Sequence, residues 1–87
     1  MNTTFLDTMR TVLAEVTELE RPHAVEPDDD LFALGLTSLE TLRVLLQVEE
    51  RFHIRVPSDI LDQEIFRSVS VLERTIVGLP TTTADGR

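Results

Sequence analysis

The stretch that decides the fold is Asp30-Leu31-Phe32-Ala33-Leu34-Gly35-Leu36-Thr37-Ser38-Leu39, followed by Glu40-Thr41-Leu42-Arg43-Val44-Leu45-Leu46-Gln47-Val48-Glu49-Glu50-Arg51. Its first half is an apolar loop with a glycine, and its second half is a helix. Leu39, Leu42, Leu45 and Leu46 recur at spacings of three and four, and Phe52 extends that stripe. Val44 and Val48 widen it beyond what one-sided burial requires, which leaves part of the helix for a partner. Gly35 supplies a backbone conformation that other residues resist.

A serine stands where the loop becomes the helix. Helix starts carry unpaired N–H groups and partial positive charge, so a phosphate ester is well placed there. Two readings are open from the local pattern. Ser38 is itself the cap, the commonest role of serine at such a position. Alternatively, Thr37 with Glu40 forms a Thr-x-x-Glu capping box. Ser38 then takes the first helical position and its hydroxyl is free for another enzyme to reach.

Outward from this stretch the chain is helical. Phe5, Met9, Val12, Leu13 and Val16 mark a first helix over about 3–19, stopped by Pro22. Residues 20–37 form a long connection holding two prolines and the Asp28-Asp29-Asp30 run. Leu31 and Phe32 pin it to the core as an ordered loop. Past the second helix, Phe52, Ile54 and Val56 alternate with His53 and Arg55 in a short extended stretch. Pro57-Ser58-Asp59 opens a short third helix over about 59–63 that buries Ile60 and Leu61. Ser70 and Glu73 give a capping-box pattern for the last helix, whose inner face is Val69, Leu72, Ile76 and Leu79. Gly78 and Pro80 end it. The expected architecture is all-α: a bundle of three main helices plus one short helix, with a long ordered first loop. Residues 1–80 form the domain, and 81–87 a flexible polar tail.

Composition narrows the function. A domain of 87 residues buries a modest core and leaves little room for a catalytic cleft. Sixteen acidic residues against eight basic ones, all arginine, give a net charge of −8. That balance disfavours nucleic acid and anionic membranes, and suits basic partner surfaces. There is no cysteine, which excludes disulfides and thiolate chemistry by the chain itself. No signal-peptide or membrane-spanning pattern is present, so a cytoplasmic monomer is expected. His23 and His53 lie 30 residues apart and read as surface histidines. The aspartate run lacks the ligand spacing of a calcium loop. No spacing argues for a serine-activating triad.

The run Leu31–Pro57, LFALGLTSLETLRVLLQVEERFHIRVP, resembles the signature of the acyl carrier proteins. That family shows an acidic and apolar loop, then Gly-apolar-Asp-Ser-Leu, then a helix closing in Glu-Glu-x-Phe, then an apolar residue and Pro. The residues matching here are Leu31, Phe32, Gly35, Leu36, Ser38, Leu39, Glu49, Glu50, Phe52, Val56 and Pro57. Ile65-Phe66-Arg67-Ser68-Val69 resembles the entry to the family's last helix.

The resemblance implies a covalent 4′-phosphopantetheine on Ser38, attached from coenzyme A by a phosphopantetheinyl transferase. The thiol of that arm holds an acyl or aminoacyl group as a thioester. It also implies that Leu39, Glu40, Leu46, Glu49 and Glu50 meet basic docking surfaces on the loading enzyme and on later enzymes. It implies no catalysis and no metal on the chain. Thr37 departs from the family's aspartate, and Arg43 from a position often acidic in fatty-acid carriers. These departures set the chain apart from the main fatty-acid carriers, while the Leu-x-x-x-Gly-Leu-Thr-Ser-Leu stretch from Leu31 to Leu39 and Phe66-Arg67-Ser68 look more like stand-alone carriers of secondary metabolism, and like carriers that take amino acids from a separate adenylating enzyme. The competing reading is an acidic helical interaction module with a carrier-like fold that is never modified.

Overall fold

The computed structural model describes residues 3–79. Four α-helices run in chain order among them: α1, Thr3–Val16; α2, Leu31–Leu34; α3, Ser38–Phe52; and α4, Val69–Val77. Single 3₁₀ turns lie at Pro22–Ala24 and Gln63–Phe66. The three long helices form the expected all-α bundle. Its core is aliphatic, with Met9, Val12, Leu13, Val44, Val48, Val69 and Leu72 almost wholly buried. Phe5 of α1 and Phe52 at the end of α3 stack with ring centroids 5.1 Å apart. Helices of this length hide an apolar stripe only by packing, so the bundle and its helices form together. No described helix is long and apolar enough to cross a membrane.

α1 stops at Val16, earlier than the apolar spacing predicts. The Thr17 hydroxyl donates to the Leu13 carbonyl at 2.6 Å and accepts from the Leu19 N–H. Such a side-chain bond offers the backbone an alternative to the next helical turn. The Glu18 N–H is then free to reach Glu40 on α3.

The long connection is ordered, as expected, and the aspartates explain how. Asp29 accepts from the Glu26 N–H and closes a turn. Asp30 caps α2, accepting from Phe32 and Ala33 N–H. Leu31 and Val25 are buried, whereas Phe32 is only partly so. Backbone bonds from Leu31 N–H to the Arg67 carbonyl, 2.7 Å, and from Ser70 N–H to the Pro27 carbonyl, 2.9 Å, tie the connection to the entry of α4. Gly35 ends α2 at φ +119°, a conformation that a side chain would strain.

Three expectations are corrected. The short helix expected over 59–63 is a 3₁₀ turn at Gln63–Phe66, started by Asp62, whose carboxylate accepts from the Glu64 N–H. It buries Ile65 and Phe66, while Ile60 and Leu61 stay exposed. The cap of α4 is Ser68 rather than Ser70: the Ser68 hydroxyl accepts from the Val71 N–H, and Val69 is already helical. Finally, Leu42 does not share the buried face of Leu45: α3 buries Thr41, Val44, Leu45 and Val48, and Leu42 turns outward beside Leu39 and Leu46, the two leucines expected to meet a partner. Both sets recur at spacings of three and four, so periodicity alone could not say which one meets the core. Residues 80–87, including Pro80 and the expected polar tail, lie outside the described residues.

Candidate functional site

The start of α3 resolves which residue is the cap. Thr37 is extended, and its hydroxyl accepts from the Glu40 N–H at 3.2 Å. The Glu40 carboxylate returns the bond, accepting from the Thr37 N–H at 3.0 Å through Oε1. The capping box is complete, and Ser38 takes the first helical position. Of the four N–H groups that a helix start leaves unpaired, the box takes those of Thr37 and Glu40. Those of Ser38 and Leu39 remain directed past the end of the helix, beside the Ser38 hydroxyl.

Glu40 also fixes this helix end in the molecule. Its second oxygen accepts from the Glu18 N–H at 2.9 Å, just past α1. The carboxylate is nearly buried, yet its proton affinity falls below the ordinary value of 4.5. The chief cause is the bond from the Thr37 N–H; burial opposes it, and the Glu18 N–H, the Thr37 side chain and the Arg43 charge add to it. Glu40 is therefore a staple between two chain segments rather than a free surface acid.

Ser38 itself is exposed. Its hydroxyl accepts one hydrogen bond, from the side-chain amide of Gln63 at 3.0 Å. Its carbonyl accepts from the Thr41 hydroxyl at 2.6 Å. An exposed hydroxyl with two free amide N–H groups beside it suits a phosphodiester: the oxygen is reachable and the new negative charge meets donors and the positive helix end.

Beyond Ser38, one face of α3 is apolar. Leu39, Leu42 and Leu46 are 60%, 51% and 56% exposed along one face of α3. Leu34 of α2 and Leu61 are exposed as well. A groove of about 180 Å³ runs between Leu42 and Leu45 of α3 and Leu61, Gln63 and Phe66 of the facing segment.

The acids named from the sequence divide into two kinds. One oxygen of Glu49 accepts from the Val56 N–H at 2.9 Å and holds the turn after α3. Glu50 is exposed. Arg51 is drawn to Glu15 of α1 at 2.6 Å, whereas Arg43 is exposed on α3. The two histidines are exposed, and His53 ends α3 in the left-handed region at φ 55°. Among the described residues no cluster of His, Cys, Asp and Glu could hold a metal ion.

Gln63, Leu42 and Leu61 were not foreseen as site residues. The spacing carried a signal only for Leu42, which lies one turn beyond Ser38 and three residues beyond Leu39. Gln63 lies 25 residues downstream of Ser38, and only the folded chain brings it there.

Comparison with known proteins points the same way as this geometry. The family model described as a phosphopantetheine attachment site matches residues 7–76. The aminoacyl carrier protein of Agrobacterium fabrum is 33% identical over 70 residues, spanning 79% of this chain and 84% of that one. Aminoacyl carrier protein 2 of Bradyrhizobium diazoefficiens is 31% identical over 81 residues, spanning 88% and 91%. A chain in the crystal structure of an engineered Bradyrhizobium japonicum glycine:[carrier protein] ligase complexed with a carrier protein from Agrobacterium tumefaciens and AMP superposes with a TM-score of 0.76. Its sequence identity is 31%, covering 88% of this chain and 99% of that one. Fold, helix start and relatives agree: the chain belongs to the phosphopantetheine attachment-site family and is an acyl or aminoacyl carrier protein, whose cofactor is a covalently attached 4′-phosphopantetheine.

Proposed function

We propose that Ser38 is the residue that takes the arm, and that the chain presents an amino acid, loaded by a separate ATP-using ligase, to later enzymes. The observation that carries the reading is the completed Thr37–Glu40 box, which relieves Ser38 of capping and leaves its oxygen exposed. In the attachment step the Ser38 Oγ–H bond breaks and an Oγ–P bond forms. The pyrophosphate linkage of coenzyme A breaks, 3′,5′-ADP leaves, and the proton passes to a base of the transferase. When bound, the arm supplies the thiol that carries the cargo as a thioester, which explains how a chain without cysteine can hold one.

The chain's own residues orient and present. Thr37 and Glu40 fix the helix start, and the N–H groups of Ser38 and Leu39 face the new negative charge. Leu39, Leu42 and Leu46 offer a partner an apolar face next to the attachment point, with Glu50 at its far end. Glu40 and Glu49 act mainly through the fold they hold, while their charge adds to the acidic field. Catalysis of loading and of later steps belongs to the partners, not to this chain.

The aminoacyl reading is supported by the relatives, which are named aminoacyl carrier proteins, and by a structural neighbour solved with a glycine:[carrier protein] ligase. The test is to incubate the modified chain with such a ligase, ATP and radiolabelled glycine or other small amino acids. The expected result is label on the protein that neutral hydroxylamine removes, as it does from a thioester. Labelling by acyl donors alone would contradict the amino-acid reading.

A further inference from the structure

The side-chain amide of Gln63 donates to the Ser38 oxygen at 3.0 Å. It comes from a different part of the chain, the first residue of the 3₁₀ turn at Gln63–Phe66. That turn is a fixed base. Asp62 caps it, Ile65 and Phe66 are buried, and Arg67 just after it is paired with both Glu64 at 2.8 Å and Asp30 at 3.1 Å. The amide therefore faces the start of α3 from a position set by the core, on the side where the apolar groove opens.

Attachment changes what this amide meets. Esterification removes the serine proton and draws electron density from Oγ toward phosphorus, so Oγ becomes a poorer acceptor. The two non-bridging phosphodiester oxygens share a full negative charge and stand one bond further out. A primary amide has two N–H donors on one nitrogen, and a bond to a charged acceptor is the stronger one. Donation to phosphate thus replaces donation to the hydroxyl with little movement of the side chain.

We propose that Gln63 is a positioning residue for the arm: in the modified protein its amide holds a non-bridging oxygen of the phosphodiester on Ser38, opposite the N–H groups of Ser38 and Leu39. The phosphate is then gripped by the helix start on one side and by the 3₁₀ turn on the other. The first part of the arm leaves beside the groove between Leu42 and Leu61. This inference rests on the reading that Ser38 takes the arm.

Gln63→Glu separates the two states. In the unmodified chain a glutamate still pairs with Ser38, by accepting from its hydroxyl. In the modified chain two negative groups face each other. The experiment follows the Gln63 side-chain amide by ¹⁵N NMR before and after modification with a transferase and coenzyme A. It also measures backbone hydrogen exchange over residues 62–66 in wild type and Gln63→Glu, with intact mass recording the modification. The Gln63 amide resonance is expected to move on modification while the turn keeps its protection. In Gln63→Glu, protection equals wild type before modification and falls about fivefold after it, the effect of losing one hydrogen bond. No gain of mass in the wild-type chain overturns both readings. A gain of mass with an unmoved Gln63 amide, or with unchanged exchange in modified Gln63→Glu, overturns this one alone.

Discussion

Thr37 and Ser38 are adjacent and both carry a hydroxyl, but their loss should have unequal effects on stability. Thr37→Ala removes the cap of α3 and should cost about 1 kcal/mol, within the usual range of about 0.5–2 for such a change. Ser38→Ala touches only the exposed Gln63 contact and should change stability by less than about 0.5 kcal/mol. Urea denaturation of both variants checks this; a larger loss from Ser38→Ala would make Ser38 structural.

Glu40 adds a pH dependence at the same place. Its carboxyl is held below 4.5 in the folded chain, so it stabilises the fold at neutral pH. That contribution is complete above the unfolded value and is lost as pH falls through the folded one. Glu40→Gln keeps one acceptor but sets its NH₂ against a backbone N–H. Wild type should therefore melt higher than Glu40→Gln at pH 7, and the gap should close as the solution is acidified below about 4.5. A gap that persists at low pH would contradict the staple.

These residues also show what the sequence could reveal. The box was legible because both of its members lie within one turn of α3. The bond from the Glu18 N–H to the Glu40 carboxylate was not, because it joins segments 22 residues apart.

At the scale of the element, α3 is a helix with two apolar faces. Its inner face is Val44, Leu45 and Val48, and its outer face Leu39, Leu42 and Leu46. Leu45→Ala should cost about 2–5 kcal/mol, as buried leucine truncations do. Leu42→Ala should cost under about 1 kcal/mol because half of that side chain is already in water. The spacing places Leu42 and Leu45 on one stripe, whereas the structure buries Leu45 and exposes Leu42. What decides between the faces is packing against α1 and against the turn at Gln63–Phe66, which come from other parts of the chain. The three outer-face variants should instead slow transfer from a loading enzyme, which a loading assay on equally modified chains would measure.

Gly35 belongs to this scale as well, since it ends α2 three residues before α3 begins. A methyl group there would meet Leu19 only at an ordinary 3.7 Å, so the cost of Gly35→Ala is backbone strain at φ +119°. About 1 kcal/mol or more is expected, read from the denaturation midpoint.

The whole molecule carries a net charge of −8, yet the face beside Ser38 is largely apolar. The two features act on different rates. A net field steers encounter, whereas buried apolar contact sets how long a complex lasts. Raising salt should therefore slow association with a basic partner while leaving dissociation nearly unchanged. Stopped-flow binding across a salt series would show it, and dissociation that speeds up strongly with salt would place the acids in the contact itself.

The architecture was the most legible level of all, because three amphipathic segments of this length have few ways to bury their stripes. The turn at Gln63–Phe66 was the least legible, since its geometry depends on Asp62 and on two buried side chains rather than on any repeat.

All of this turns on the oxygen of one exposed serine. The most direct measurement is intact-mass and peptide mass spectrometry of the wild-type and Ser38→Ala chains after incubation with a phosphopantetheinyl transferase and coenzyme A. One phosphopantetheine group is expected on the wild-type peptide that contains Ser38, and no gain of mass in Ser38→Ala. A group found on another residue, or equal modification of both chains, would contradict that expectation.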